Sequence, residues 1–178
     1  MQHPSTVRPV LRALQVVTAI AVVALASCGD SRNLHKVYPV KGKILVNGQP
    51  ASECKIYLNR TFDDDHPFRV TPQGLTDTNG EFQITSYHPG DGAPEGEYIV
   101  TIEWRERSGL MKSDFDGPDQ LNGAYDQVEK TKGLPGFVVR VGQQPLELPP
   151  FELKQSAEAK RKLEEAKKRR FDGKGPLK

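Results

Sequence analysis

The chain has 178 residues, 36% of them hydrophobic and 27% charged, which is enough for one core but too little for a multi-domain enzyme. The formal net charge of +2 argues against a dedicated nucleic-acid-binding protein. The charge is unevenly placed: residues 28–153 carry 13 basic and 19 acidic side chains, whereas residues 154–178 carry 10 basic and 4 acidic ones.

The N-terminal segment has the features of a secretory signal. Arg8 and Arg12 precede an apolar run that spans about 13 residues, short of the ~20 that a membrane-spanning helix needs. The run ends in small residues and a cysteine, Leu-Ala-Ser-Cys at 25–28. Residues 1–27 are therefore predicted to be a signal peptide.

The same Leu-Ala-Ser-Cys sequence resembles the lipobox of bacterial lipoproteins. The resemblance implies that the Cys28 thiol receives a diacylglycerol group and that the signal is cleaved between Ser27 and Cys28. We therefore expect an extracytoplasmic protein that is held to a membrane by lipid, since two or three acyl chains give a stable anchor. The alternatives are a non-lipidated signal with a coincidental cysteine and an uncleaved anchor.

Residues 28–38 are predicted to be a polar tether that leads into a β-domain over residues 39–154. Alternation over 40–46 predicts a strand that ends in the turn dipeptide Asn-Gly, and alternation from Cys54 onward predicts its hairpin partner. If Cys28 carries lipid, Cys54 has no disulfide partner. We expect Cys54 to be a small buried residue rather than a reactive thiol.

Further turns and strands follow along the domain. Asp77 is predicted to cap a turn in which Gly80 takes a positive φ. The clearest strand ends in Trp104, which shares a face with Tyr98. We interpret these two aromatic side chains as core residues, and the alternative is a sugar-stacking platform.

The remainder of the domain completes an all-β pattern. Residues 105–133 form a long polar segment without a strand or helix pattern. Residues 137–141 and 146–153 are predicted to form the last two strands. Sixteen Gly and 14 Pro suit many turns. We predict an antiparallel β-sandwich of about seven strands, transthyretin-like or immunoglobulin-like, followed by a charged C-terminal helix.

Residues 155–178 are predicted to be a basic helical tail. Only Ala159, Leu163 and Ala166 form an apolar stripe, so we expect the helix to project from the domain or to pack loosely. Its basic side chains are candidate contacts for a partner or for anionic lipid head groups, and the alternative is a solvated helix. These candidates are Lys160, Arg161, Lys167, Lys168, Arg169 and Arg170.

Five segments together resemble the carboxypeptidase regulatory-like domains of bacterial lipoproteins, which share a transthyretin-like or prealbumin-like β-sandwich. The similarity extends over residues 37–154. It implies an accessory module without catalytic residues. The segments are 40–51, 74–82, 90–98, 119–125 and 148–153.

Candidate catalytic and metal-binding motifs have simpler explanations. The acidic run 63–66, which includes His66, could ligate a divalent cation, but adjacent side chains rarely converge on one ion, so we prefer a solvated loop. Residues 77–81 resemble part of a calcium loop without its closing acidic residue. No zinc-hydrolase, nucleophile-elbow, phosphate-loop or dinucleotide motif occurs. We predict no enzyme activity, no metal and no cofactor.

The resulting hypothesis is a lipid-anchored, non-catalytic interaction or structural module of the cell envelope. Its expected partners are the membrane, through the lipid on Cys28, and an envelope protein or glycan. Nucleic acid is not an expected partner, because the protein is expected to be extracytoplasmic. The alternative is a small-ligand or carbohydrate-binding lipoprotein, which is suggested by the long loops 60–70 and 105–133.

Overall fold

The described chain is mostly β-structure with one long C-terminal helix, as predicted. The computed structural model describes residues 34–62, 69–107 and 117–172. Its helices are α1 (Val128–Thr131) and α2 (Ala157–Phe171). Its strands are β1 (Val37–Tyr38), β2 (Val40–Val46), β3 (Gln49–Pro50), β4 (Lys55–Arg60), β5 (Gln73–Leu75), β6 (Glu81–Gln83), β7 (Ala93–Pro94), β8 (Gly96–Glu103), β9 (Val138–Val141), β10 (Leu146–Glu147) and β11 (Phe151–Leu153).

The first sheet is organised around β2, which pairs with short strands along both of its edges. On one edge, β6 and β3 run antiparallel to β2. On the other edge, β10 pairs with the beginning of β2 and β11 with its end, both in parallel. Pro149 and Pro150 separate β10 from β11, and proline has no backbone N–H to continue a ladder. This edge of the sheet is therefore built in two pieces.

The second sheet has the strand order β5-β4-β8-β9 and is antiparallel throughout. Its central strand β8 is the one that the alternation predicts most clearly. Tyr98, Val100 and Ile102 are completely buried, so β8 runs through the core as expected. A separate ribbon is formed by β1 and β7, which pair antiparallel.

Two predictions about strand pairing are wrong. The sandwich is not antiparallel throughout, because β10 and β11 run parallel to β2. After the turn that follows β2, only the two residues of β3 pair with β2. The strand that was expected to pair with it, β4, belongs to the second sheet instead. Glu53 lies between β3 and β4 with a φ of 62°, a left-handed conformation that redirects the chain. Alternation does not reveal either feature, because parallel and antiparallel strands share the same side-chain period.

The buried faces of both sheets contribute to one hydrophobic core, which is the arrangement of a β-sandwich. A row of aromatic rings crosses this core. The ring centroids of Phe82 and Phe151 are 6.4 Å apart, those of Phe151 and Phe137 are 5.2 Å apart, and those of Phe137 and Tyr125 are 5.8 Å apart. Since Phe82 and Phe151 belong to the first sheet and Phe137 precedes β9, the row ties the two sheets together.

Two turns adopt the left-handed conformations that their glycines predict. Gly48 has a φ of 78° in the turn between β2 and β3, and Gly80 has a φ of 74° in the turn between β5 and β6. Asp77 caps the second turn, because its Oδ1 accepts hydrogen bonds from the backbone N–H groups of Asn79 (2.8 Å) and Glu81 (2.9 Å). The predicted role of Asp77 is confirmed.

These two glycines form a matched pair for mutation. An added Cβ at Gly80 would lie 2.5 Å from the carbonyl oxygen of Ile44, whereas nothing lies within 4 Å of one at Gly48. We expect Gly48→Ala to lower the free energy of unfolding by about 1 kcal/mol through the positive φ. Gly80→Ala should cost roughly 1–3 kcal/mol more, because β2 must shift. Urea denaturation of the full chain measures both, and equal losses would contradict the close approach.

Candidate functional site

α2 is attached at one end of the sandwich. As β11 finishes, the Leu153 carbonyl accepts a hydrogen bond from the N–H of Asn47 (2.9 Å), and the N–H of Gln155 donates to Asn47 Oδ1 (3.3 Å). β8 finishes at the same end, where the indole N–H of Trp104 donates to the Ser52 carbonyl (2.9 Å). We call this the α2 end, and the opposite end, where β1 lies and β2 begins, the β1 end.

The carboxylate of Asp119 holds the loop beside α2 in place. Its Oδ1 accepts hydrogen bonds from the backbone N–H groups of Trp104 (3.0 Å) and Leu121 (3.2 Å), and its Oδ2 accepts one from Gly123 (2.6 Å). Leu121 is buried in the core. The sequence analysis missed this role, although an aspartate shortly before Asn-Gly is typical of a side chain that caps its own turn.

Polar contacts seat α2 against this loop and the end of β8. The Gln155 side chain donates to the Gln120 carbonyl (2.9 Å). Lys162 Nζ donates to Asn122 Oδ1 (3.1 Å). In a third contact, Lys167 Nζ lies 3.1 Å from a carboxylate oxygen of Glu106.

The buried side of α2 is narrow but well covered. Ala159 is 1% exposed and Leu163 is 7% exposed. These two side chains lie outside the core that the sheets share, so the prediction of loose packing stands. The apolar stripe did not indicate the polar contacts of Lys162 and Lys167, because their partners are distant in sequence.

The predicted contact residues of the tail fall into two groups. Lys167 helps to seat the helix, and Arg161 lies 3.8 Å from Glu165 within it. The others with described side chains are exposed and form no ion pair among the described residues. This second group consists of Lys160, Lys168 and Arg169. Arg170 lies within α2, but its side chain is outside the described residues.

Other predicted sites lie outside the described residues. They are the cleavage and lipid-attachment residues Ser27 and Cys28 and the acidic run 63–66. In residues 34–62, 69–107 and 117–172, no three His, Cys, Asp or Glu side chains come together in a way that could hold a metal ion. Neither helix in the same ranges is both long and apolar enough for a membrane span.

Tyr98 of β8 and Trp104, which follows this strand, do not form a flat exposed platform. Tyr98 is completely buried, and its hydroxyl donates to the Pro94 carbonyl at 2.9 Å. Trp104 is half-buried and packs against the core. Both side chains therefore behave as core residues, which is the preferred interpretation from the sequence.

A shallow groove of about 510 Å³ runs along β2 between β6 and β10. Its charged side chains are already paired. Lys41 lies 2.9 Å from Glu147, and Lys43 lies 3.6 Å from Glu81. These exposed pairs give the groove little net charge, and each such pair contributes only about 0–1 kcal/mol of stability.

Cys54 is completely buried, as predicted. Burial raises the pKa of its thiol from 9.0 to about 12, the negative charge of Asp119 adds to this, and a hydrogen bond with Thr76 opposes it. Thr76 is itself engaged, since its hydroxyl donates to the Ala51 carbonyl (2.7 Å) and accepts from the Cys54 N–H (2.8 Å). The thiol is thus protonated at neutral pH and unsuited to nucleophilic chemistry.

No protein-family model matches the chain, and no curated protein matches its sequence. Solved structures with partial similarity include a DUF3823 family protein from Parabacteroides merdae, with 11% identity, a TM-score of 0.31, and coverage of 68% of this chain and 46% of that one. Another is the dioxygenase domain of a dioxygenase carbohydrate-binding fusion from Streptomyces, with 14% identity, a TM-score of 0.35, and coverage of 72% and 86%. A third is catechol 1,2-dioxygenase from Pseudomonas arvilla, with 18% identity, a TM-score of 0.34, and coverage of 73% and 56%. This chain spans less than half the length of the DUF3823 protein.

Replacing Asp119 tests its role at the α2 end. Asp119→Ala leaves three backbone N–H groups without their acceptor, so we expect a loss of about 1–3 kcal/mol in the free energy of unfolding. Trp104 is the single tryptophan, so its fluorescence should also shift towards the value for solvent-exposed indole. Asp126→Ala removes only the exposed ion pair with Lys130 and is the control. Equal effects of the two variants would contradict the assignment.

Thiol labelling tests the burial of Cys54. In full-length Cys28→Ala protein, Cys54 is the single thiol, and we expect an aromatic disulfide reagent to label it only after unfolding in urea. Because the folded state favours the neutral thiol, its contribution to stability is complete below pH 9.0 and declines as the pH rises towards 12. Rapid labelling of the native protein at neutral pH would show that the site opens.

Proposed function

We propose that this protein is a lipid-anchored, extracytoplasmic β-sandwich that serves as a non-catalytic interaction or structural module of the bacterial cell envelope. The proposal rests on the sequence Leu-Ala-Ser-Cys at residues 25–28, because this motif assigns a specific covalent modification to one atom, the Cys28 thiol. The small residues before the cysteine would fit the signal peptidase, and the lipid would then hold the mature chain at a membrane.

The distance along the chain between Cys28 and the first strand supports an anchoring role. Val37, the first residue of β1, comes nine residues after Cys28. Even a fully extended segment of this length spans only about 30 Å. A lipid on Cys28 would therefore keep the sandwich close to the membrane surface while leaving it free to contact partners.

The transthyretin-like fold of the carboxypeptidase regulatory-like family is part of the same proposal. Two sheets around one core are compatible with it. Two of the segments that carry the resemblance also have clear structural roles: residues 119–125 contain the Asp119 contacts, and residues 148–153 contain β11. The resemblance to this family implies an accessory module rather than an enzyme.

The use of carboxylates in the domain supports a non-catalytic role. Asp77 and Asp119 bind backbone N–H groups of their own turns. Asp91 does the same, accepting hydrogen bonds from the N–H groups of Ser86 (2.8 Å), Tyr87 (3.0 Å) and His88 (2.9 Å). These three carboxylates therefore have structural roles, because they stabilise the turns that contain them.

Metabolic labelling with palmitate tests the anchor. We expect the wild-type chain to incorporate label and to fractionate with membranes, and Cys28→Ala to lose both properties, because the acyl chains are added at this residue. Cys54→Ala is the matched control, since it removes the other cysteine and should retain the label. Label that persists in Cys28→Ala would overturn the proposal, as would label that is absent from the wild type.

A further inference from the structure

The exposed side of α2 carries a regular charge pattern. Residues four apart lie above one another on a helix, so Lys160, Glu164 and Lys168 form one row. The neighbouring row is formed by residues 161, 165 and 169, which are Arg, Glu and Arg. All six side chains are exposed. Along the helix axis, the exposed face therefore presents a basic pair, an acidic pair and a second basic pair.

This face is separate from the contacts that seat the helix. Seating uses Gln155, Lys162 and Lys167, at 2.9 to 3.1 Å from their partners. On the exposed face, Arg161 lies 3.8 Å from Glu165, and the Glu164 carboxylate lies 3.9 Å from Lys167. These long, solvated contacts cost little to exchange for contacts with a partner.

Elsewhere in the described part of the chain, several basic side chains on the strands and loops form ion pairs with carboxylates. These pairs are Lys41–Glu147, Lys43–Glu81, Arg107–Glu53, Lys130–Asp126 and Arg140–Glu97. On α2, by contrast, Lys160, Lys168 and Arg169 have no ion-pair partner among the described residues. α2 carries seven basic and three acidic side chains, so its net positive charge would attract acidic side chains of a partner.

α2 lies at the end of the sandwich opposite β1. β8 spans eight residues, so the β1 end and the α2 end are separated by about 25 Å. If Cys28 is lipidated, as proposed above, the lipid is attached to the chain before β1, and a partner of α2 would bind at the other end of the domain.

We propose that the exposed face of α2 is a docking surface for a protein whose own surface carries the reciprocal charge order, acidic then basic then acidic, at a spacing of one helical turn. Glu164 and Glu165 indicate that the partner is a protein rather than a uniformly anionic surface. A bilayer of anionic lipid or a uniformly anionic polymer would attract the four basic residues but repel Glu164 and Glu165. A protein surface can place a basic side chain opposite these two and acidic side chains opposite the others.

Fluorescence anisotropy with synthetic helical peptides tests this proposal on the full chain. One peptide carries the reciprocal order, a second has the same composition in scrambled order, and a third is uniformly acidic. We expect the reciprocal peptide to bind about tenfold more tightly than the scrambled one, from several exposed ion pairs acting together, and to weaken as salt is added. Tighter binding of the uniformly acidic peptide, or of vesicles that contain phosphatidylglycerol, would overturn the proposal.

Charge variants provide the controls. Glu164→Lys combined with Glu165→Lys makes the face uniformly basic, so this variant should prefer the uniformly acidic peptide to the reciprocal one. Lys41→Gln combined with Lys43→Gln also changes the charge, but on β2, and should leave peptide binding unchanged. An unchanged preference in the α2 variant would place the binding site elsewhere. Because these measurements do not depend on lipid, their failure is distinguishable from loss of palmitate labelling.

Discussion

The apolar faces of the two sheets have to be buried against each other, and the path of the chain follows from this constraint. Each sheet alone would leave one row of valine, isoleucine and aromatic side chains in water, at a cost of about 1.5–3 kcal/mol per large side chain. The chain therefore crosses between the sheets repeatedly, after β3, β5, β6 and β9. The crossings place unusual demands on the backbone, as the positive φ angles of Glu53 and Gly80 show.

The same constraint shapes the α2 end. Once β8 and β11 finish there, the core is open at its edge, and residues 117–125 close it by burying Leu121. That loop needs its own polar anchor, which the carboxylate of Asp119 provides through three backbone hydrogen bonds. Gln155 and Lys162 connect α2 to this loop, and the helix directs its charged rows outward. The proposed docking surface thus depends on a chain of contacts that begins in the core.

Much of the local structure was predictable because it depends on short-range rules. Strand alternation located β2, β4 and β8, the turn residues identified the cap at Asp77 and the positive φ of Gly80, and composition identified α2. Pairing was less predictable, because the side-chain period does not distinguish β11 beside β2 from an antiparallel neighbour. The seat of α2 was missed as well, since Glu106 and Lys167 are 61 residues apart in sequence and only folding brings them together.

The sequence by itself determined the all-β class, the buried thiol of Cys54, the C-terminal helix and the charge order along it, because each depends on residue type and local spacing. Only the tertiary structure decided the parallel pairing of β10 and β11 with β2, the backbone hydrogen bonds that Asp119 accepts, and the position of α2 at the end opposite β1. The physical reason is that these features are contacts between distant segments. Such contacts form when the two sheets pack against each other around one core, and no local sequence pattern encodes which segments will meet.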